Sequence, residues 1–189
     1  MKRLLSYLLM TAGTILVFLG ARDLLESHFG QTTAARTFNA TPRIVHAKSP
    51  AVHTGDTVAK LSIPRLSTQL YIVEGDDERE LRRGPGHMPG TALPGARGNS
   101  VIAGHRDTHF RVLRDIRKGD DIVIQTAAGQ FLYRVRDTSI VPPSNTAALQ
   151  PSSATTLHLI TCYPFYYVGS APKRFVVEAS LAGQVTRVE

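Results

Sequence analysis

The 189-residue chain contains one cysteine, Cys162, and no tryptophan. A lone cysteine excludes an intramolecular disulfide framework and any zinc or iron–sulfur site built from several cysteines. Charged residues make up only 20% of the chain against 42% hydrophobic residues, a balance typical of a folded protein. Fifteen glycines and eleven prolines predict many turns, which favours short strands over a helical bundle.

A basic stripe is also lacking, although the net charge is +7. Residues 1–58 carry six Lys or Arg against three Asp or Glu, and residues 59–189 carry sixteen against twelve. The basic residues of the second part stand among acidic ones, as in the segment 115–121. Nucleic-acid binding depends on a clustered basic face or a platform of aromatic side chains. We therefore expect a solvated surface of mixed charge and no nucleic-acid partner.

Residues 4–21 contain no charged side chain and are mostly apolar. As a helix they would be roughly 27 Å long, close to the ~30 Å hydrocarbon core of a bilayer. Lys2 and Arg3 precede them and favour a cytoplasmic N-terminus. The pattern predicts a transmembrane signal-anchor helix over residues 1–25, in a single-pass protein of the cell membrane. A cleaved secretory signal is the alternative, and both place the remaining chain outside the cytoplasm.

Residues 26–57 show no sustained hydrophobic periodicity and are rich in Thr, Ala, Ser and Pro. This composition predicts a flexible extracytoplasmic tether between the membrane and a folded domain. The segment contains three widely spaced histidines that we expect to be solvated: His28, His46 and His53.

Residues 58–189 contain short β-type runs separated by turn clusters. Short helices are expected at 77–83 and 110–115, and a long irregular loop at 84–95. Seven or eight strands with few helices predict an all-β barrel or sandwich for this domain. The expected strands are 58–63, 69–73, 99–103, 121–126, 130–141, 156–162 and 174–181.

Chemically active side chains fall at the ends of three of these runs. Cys162 closes one run just before Pro164, and His105 follows the run that ends at Gly104. If the last two runs pair antiparallel, Arg174 comes near Cys162. Taken singly, a cysteine, histidine or arginine at such a position is more often a structural or surface residue than a catalytic one. Together they point to a site that combines a thiol, an imidazole and a guanidinium group.

The motifs around these residues resemble those of the sortases, the cysteine transpeptidases of bacterial surfaces, and most closely the class D type. The similarity covers about residues 58–182, and the combination of motifs is far more specific than any one of them. The matching segments are Pro85–His87, Gly90–Gly95, Gly98–Asn99, Ala103–Thr108, Leu159–Phe165 and Ala171–Phe175.

The resemblance implies an eight-stranded sortase-type β-barrel with short helices, in which His105, Cys162 and Arg174 are catalytic. It also implies substrates that are secreted proteins with an LPxTG-like C-terminal sorting signal. The acyl group would pass to an amine acceptor, either a cell-wall precursor or a pilin-like lysine. No cofactor and no metal are expected.

The chemistry of these residue types suggests a division of roles. A free thiol is mostly protonated at neutral pH, so Cys162 needs a neighbour to act as the nucleophile that forms a thioester. His105 would exchange protons with the departing and incoming amines. Arg174 stays charged, so it would hold substrate and stabilise the oxyanion. Tyr163 would contribute its backbone N–H to the oxyanion, and Thr161 would order the substrate-binding site.

Two other functions remain open at this point. A thiol protease of the same fold would use water as the acceptor, and a non-catalytic tethered β-domain would bind a partner with Cys162 inert. Three further histidines carry weaker expectations: His87 a hydrogen bond within its loop, His158 a surface position, and His109 only a superficial likeness to a zinc-binding pair with His105.

Overall fold

The computed structural model describes residues 2–40 and 52–185 and contains eight strands closed into a barrel in the order β1-β2-β3-β4-β7-β8-β6-β5. Most neighbouring strands are antiparallel, but β2 with β3 and β4 with β7 are parallel. The elements are α1 (Lys2–Ala40), β1 (Thr57–Ile63), β2 (Thr68–Glu74), α2 (Glu78–Arg83), β3 (Gly86–His87), β4 (Gly98–Gly104), β5 (Asp121–Thr126), β6 (Gly129–Val141), β7 (Thr155–Tyr163) and β8 (Lys173–Val185), with 3-10 turns at Pro64–Leu66, His109–Asp115 and Ala147–Leu149.

The core lies inside the barrel, and on several strands, such as β1, β5 and β7, it is formed by alternate residues. On β7, for example, Leu157 and Leu159 are fully buried while His158 and Ile160 lie on the outer face. The same alternation on β8 buries Val177. This period of two is the property of a strand with one face in the core. Phe110, from the 3-10 turn after β4, is also fully buried in this core.

The predicted strands agree with the observed ones to within a few residues, and the barrel is confirmed as the architecture. The exception is β3, a two-residue strand inside the expected loop 84–95. Gly86 pairs with Val73 of β2 on one side and with Ala103 of β4 on the other. A segment of two residues is too short to carry a hydrophobic alternation, so only the closed barrel reveals it.

Helix α1 differs from the sequence-based expectation. It continues without interruption to Ala40, so residues 26–40 are helical rather than part of a flexible tether. Residues 41–51 of the expected tether, which include His46, lie outside the described residues. His28 is exposed on the helix, as expected.

Helix α1 packs against α2 and β2 through small residues and one amide side chain, without an obvious hydrophobic pattern. Ala34 is buried, and Gly30 lies so close to α2 that a Cβ atom would come 2.6 Å from the Arg83 backbone. The Gln31 side chain donates to the carbonyls of Tyr71 and Arg83 and accepts from the Tyr71 N–H. These bonds attach α1 to the backbone of β2 at Tyr71 and to the end of α2 at Arg83.

Over the residues whose side chains are described, no helix meets the length and apolarity needed to cross a membrane. Many large apolar side chains on the N-terminal half of α1 are nevertheless exposed, from Tyr7 to Phe18.

Candidate active site

His105 and Cys162 lie side by side, His105 directly after the end of β4 and Cys162 near the end of β7. The parallel strands β4 and β7 are paired in register, with Gly104 opposite Thr161. His105 and Cys162 each follow directly, and adjacent strands lie only ~4.8 Å apart. Both side chains are half-buried, and Cys162 is a free thiol.

Arg174 is the direct antiparallel register partner of Cys162 across β7 and β8. Their side chains therefore leave the sheet on the same outer face. The Arg174 guanidinium is half-buried and donates from Nη1 to the carbonyls of Ala171 (3.3 Å) and Lys173 (3.1 Å). In the described part of the chain, no hydrogen bond directly joins the side chains of Cys162, His105 and Arg174. The barrel thus brings three chemically active groups to one end of three consecutive strands.

Two hydrogen bonds hold the backbone on either side of His105. The buried Thr161 hydroxyl donates to the Gly104 carbonyl at 2.6 Å, which links β7 to β4 one residue before the imidazole and the thiol. The Phe110 N–H donates to the His105 carbonyl at 2.9 Å. A Cβ atom at Gly104 would lie 2.7 Å from the Phe110 ring, so this close packing requires glycine. The Thr161 hydroxyl therefore fixes the backbone at the end of β4 from inside the barrel.

Arg106 connects the histidine loop to the loop that joins β7 to β8. Its Nη2 donates to the carbonyls of Tyr167 (2.8 Å) and Gly169 (3.1 Å), and its guanidinium lies 5.6 Å from the centre of the Tyr167 ring. This loop connects Cys162 to Arg174, so Arg106 fixes it against the segment that carries His105. Sequence reasoning had assigned Arg106 no role, although its position next to His105 was the available signal.

Aromatic packing stabilises the start of the same loop. Tyr163, Phe165 and Phe175 form a cluster with ring centres 5.4–6.4 Å apart. Tyr166 and Tyr167 are exposed, and Tyr166 contacts Arg114 through its hydroxyl. Of the aromatic residues after Cys162, Tyr163 and Phe165 are therefore packed against Phe175, whereas Tyr166 and Tyr167 are exposed to solvent.

Two separate cavities border the site, one at Arg174 and the other at His105. One, of about 340 Å³, is bordered by Arg174, the outer face of β7 and β8, and the 3-10 turn at Ala147–Leu149. The other, of about 330 Å³, is bordered by His105, Asp107 and Thr108 together with residues of α1 and α2. Ligands can therefore approach the guanidinium and the imidazole from different directions.

Burial controls the charge of two nearby histidines. Burial, reinforced by the nearby His105, lowers the pKa of His109 to about 4, so His109 is neutral at neutral pH. Burial also lowers the pKa of His158, against the opposing effect of Glu178. His158 lies on the outer face of β7 as expected, but it is half-buried there, with Nδ1 2.6 Å from the Asn99 side-chain oxygen.

His87 forms hydrogen bonds within its surroundings, as the sequence indicated. It is 2% exposed, with Nδ1 2.7 Å from Glu74 Oε2 and Nε2 3.0 Å from the Ala92 carbonyl. This histidine holds the loop between β3 and β4. Among residues 2–40 and 52–185, no group of three or more His, Cys, Asp or Glu is arranged to bind a metal ion.

A closed barrel with a half-buried thiol at a strand end, beside an arginine and a histidine, defines a class of cysteine enzyme. Residues 61–182 match the family model of the sortase domain. The chain is also 32% identical to Sortase D of Bacillus subtilis, over 94% of this chain and 97% of that protein. The chain therefore belongs to the sortase family, and sortases are cysteine transpeptidases.

Solved structures agree with this assignment and with a likeness to class D. A sortase D5 transpeptidase of Clostridium perfringens is 28% identical, with a TM-score of 0.70 over 84% of this chain and 99% of that one. The catalytic domain of B. anthracis SrtD is 30% identical, with a TM-score of 0.63 over 75% of this chain and 98% of that one. The expected eight-stranded sortase barrel is confirmed.

Proposed function

We propose that this sortase is a membrane-anchored transpeptidase that cleaves an LPxTG-like sorting signal, holds the acyl group as a thioester on Cys162 and transfers it to an amine. The observation that carries the proposal is the register pairing of Cys162 with Arg174, one strand away from His105. It supplies a nucleophile, an oxyanion partner and a proton carrier at one end of the barrel.

In the first step, the Cys162 thiolate attacks the scissile carbonyl of the sorting signal. A C–S bond forms and the carbonyl oxygen becomes an oxyanion, which the Arg174 guanidinium stabilises. The C–N bond then breaks, and the His105 imidazolium gives its proton to the departing amine. The products are a thioester on Cys162, a neutral His105 and the released C-terminal fragment.

In the second step, the neutral His105 accepts a proton from the incoming amine as its nitrogen attacks the thioester. A new amide bond forms, the C–S bond breaks and the Cys162 thiolate is restored together with the His105 imidazolium. Water in place of the amine would give hydrolysis by the same path. Arg174 stabilises the oxyanion of both steps, because a guanidinium remains charged throughout.

The cavity on the Arg174 side is the proposed groove for the sorting signal. It combines the guanidinium with the apolar side chains Ile160, Val176 and Leu149 and the half-buried His158. Its lining also includes the polar side chains Asn145, Thr146 and Glu178. A groove with apolar walls, a few polar groups and one cation is suited to a peptide whose carbonyl is to be polarised. The Tyr163 backbone N–H is the proposed second donor to the oxyanion.

Membrane attachment through the N-terminal helix completes the proposal. Its support is the uncharged stretch at 4–21, the two basic residues before it and the exposed apolar side chains of α1. Confinement to the outer membrane surface would raise the local concentration of secreted protein substrates, whether the acceptor amine belongs to a cell-wall precursor or to a pilin-like lysine.

A ligation assay tests the proposed function. Full-length enzyme is incubated with an LPxTG-type peptide, with and without a primary amine, and the products are separated by mass. We expect an amide-linked product that appears only with the amine and is absent with Cys162→Ala. Cleavage without any ligated product would identify a hydrolase, and cleavage by Cys162→Ala would refute the nucleophile.

A further inference from the structure

A large groove lies between α1 and α2, away from the thiol. It encloses about 830 Å³ and is bordered on α1 by Phe18, Leu25 and Phe29. These side chains are spaced by seven and four residues, so they form one stripe along the helix. They are 72%, 54% and 64% exposed. Phe18 and Leu25 belong to the proposed anchor, whereas Phe29 lies on the part of α1 that packs against the domain, where such exposure of a large apolar group is unusual.

The opposite wall of this groove is basic. On α2 it is formed by Arg79, Arg82 and Arg83 together with Glu78, whereas Arg22 and Glu26 border the groove from α1. Arg82 is paired with both glutamates. Arg79 and Arg83 form no ion pair with any residue in the ranges 2–40 and 52–185. The groove therefore has an apolar wall and a wall of excess positive charge.

We propose that this groove docks the catalytic domain onto a bilayer that contains anionic phospholipids. The stripe of Phe18, Leu25 and Phe29 would enter the boundary of the acyl chains, and the guanidinium groups of Arg79 and Arg83 would bind the lipid phosphates. An apolar surface directly beside a basic one matches the two layers of a lipid headgroup region.

The apolar stripe continues the exposed apolar surface that begins at Tyr7 on the same helix. Docking would therefore extend membrane contact from the proposed anchor onto the folded domain. The cavity beside His105 shares Arg22, Glu78 and Arg82 with the groove. In a docked domain, the cavity beside His105 would therefore lie next to the membrane surface. This inference rests on the membrane attachment in the proposed function.

The absence of tryptophan makes a direct test available. Phe29→Trp introduces one reporter in the groove, Val17→Trp one in the proposed anchor and Ile140→Trp one on an exposed part of β6. Each full-length variant is reconstituted in vesicles of phosphatidylcholine, with or without phosphatidylglycerol, that contain brominated acyl chains. Quenching reports contact between the tryptophan and the lipid, and thermal unfolding checks that each variant is folded.

We expect quenching of Trp at position 29, stronger with phosphatidylglycerol, and no quenching at position 140. Arg79→Gln and Arg83→Gln in the Phe29→Trp background should each lower the ratio of docked to undocked protein roughly fivefold. Arg117→Gln, which changes an exposed arginine outside the groove, should leave it unchanged.

Absence of quenching at position 29 overturns the docking proposal, whatever position 17 reports. Quenching at position 17 alone would leave the anchor in place and remove only the docking. Equal quenching at position 29 in both lipid mixtures, insensitive to the arginine substitutions, would also overturn it. So would a lipid-independent, concentration-dependent change in Trp emission, because a second protein copy would then occupy the groove.

Discussion

The hydroxyl of Ser27 on α1 lies 2.8 Å from Nε2 of His109, a residue 82 positions later in the chain. His109 begins the 3-10 turn that follows His105, and Phe110 in that turn donates to the His105 carbonyl. The N-terminal helix is therefore bonded to the segment that holds the proposed acid–base group. This contact gives the helix a structural role at the site in addition to any role at the membrane.

We expect Ser27→Ala to lower kcat for peptide ligation about fivefold with little change in KM, since one hydrogen bond contributes about 1 kcal/mol. The reason is that the loop carrying His105 loses a fixed point, whereas the proposed peptide groove lies on the Arg174 side. Ser27→Thr keeps the hydroxyl and should restore kcat. Thr32→Ala, on an exposed part of α1, is the matched control. A loss confined to KM, or one that Ser27→Thr does not repair, would argue against positioning.

The buried, neutral His109 should make the stability of the domain depend on pH. Its pKa is about 4 in the folded protein, against an ordinary value of about 6.5 when unfolded. The stabilisation is complete above pH ~6.5 and decreases as the pH falls from there towards 4, because only the unfolded chain then takes up the proton. The loss approaches roughly 3 kcal/mol.

Urea denaturation at several pH values measures this effect. His109→Gln keeps an amide near the Ser27 hydroxyl but cannot titrate, so its stability should vary less between pH 6.5 and 4. His28→Gln changes an exposed histidine of α1 and serves as the control. Identical pH profiles for the wild type and His109→Gln would contradict the assignment.

Much of this fold follows from the sequence, because strands such as β1, β5 and β7 have a clear period-two pattern. The pairing of Cys162 with Arg174 could be anticipated from two consecutive runs that join antiparallel. The docking of α1 could not, because Gly30, Gln31 and Ala34 pack through small size and hydrogen bonds rather than hydrophobic periodicity. The role of Arg106 depends on two loops meeting in space, which no local pattern encodes.

The ion pair between the buried Asp120 carboxylate and the exposed Arg65 guanidinium should stabilise the turn before β5. Asp120 accepts two bonds from Arg65 and one from the Arg117 N–H. The hydrogen bonding by Arg65 lowers the pKa of the Asp120 carboxyl. The ion pair therefore contributes to the free energy of unfolding at pH values above the unfolded-state pKa of Asp120. This contribution is lost as the pH falls through the lower folded-state pKa.

Asp120→Asn should lower the free energy of unfolding at pH 7 by about 2 kcal/mol, and the difference from wild type should shrink as the pH falls below the ordinary aspartate value of about 3.9. Asp121→Asn, on the exposed pair with Arg134, should change it by no more than about 0.5 kcal/mol. Chemical denaturation measures the free energy of unfolding of both variants. Equal losses for the two substitutions would contradict a stabilising role of the Arg65–Asp120 pair.

Replacement of Arg174 by lysine should preserve the charge and still impair catalysis. A lysine ammonium lacks the planar fork of the guanidinium, and loss of an oxyanion donor typically costs 100- to 1000-fold in rate. Arg174→Lys should therefore lower kcat for both cleavage and ligation. Arg134→Lys, an exposed arginine on β6, is the control. Near-normal kcat in Arg174→Lys would limit the role of Arg174 to simple charge attraction.

The central claim is that Cys162 carries the acyl group, and intact-mass spectrometry during turnover tests it most directly. The enzyme is mixed with an LPxTG-type peptide without an amine, quenched in acid and weighed. We predict an adduct equal to the N-terminal fragment, located on Cys162, removed by hydroxylamine and absent in Cys162→Ala. Turnover of the peptide without this adduct in the wild type, or with an adduct that persists in Cys162→Ala, would contradict the mechanism.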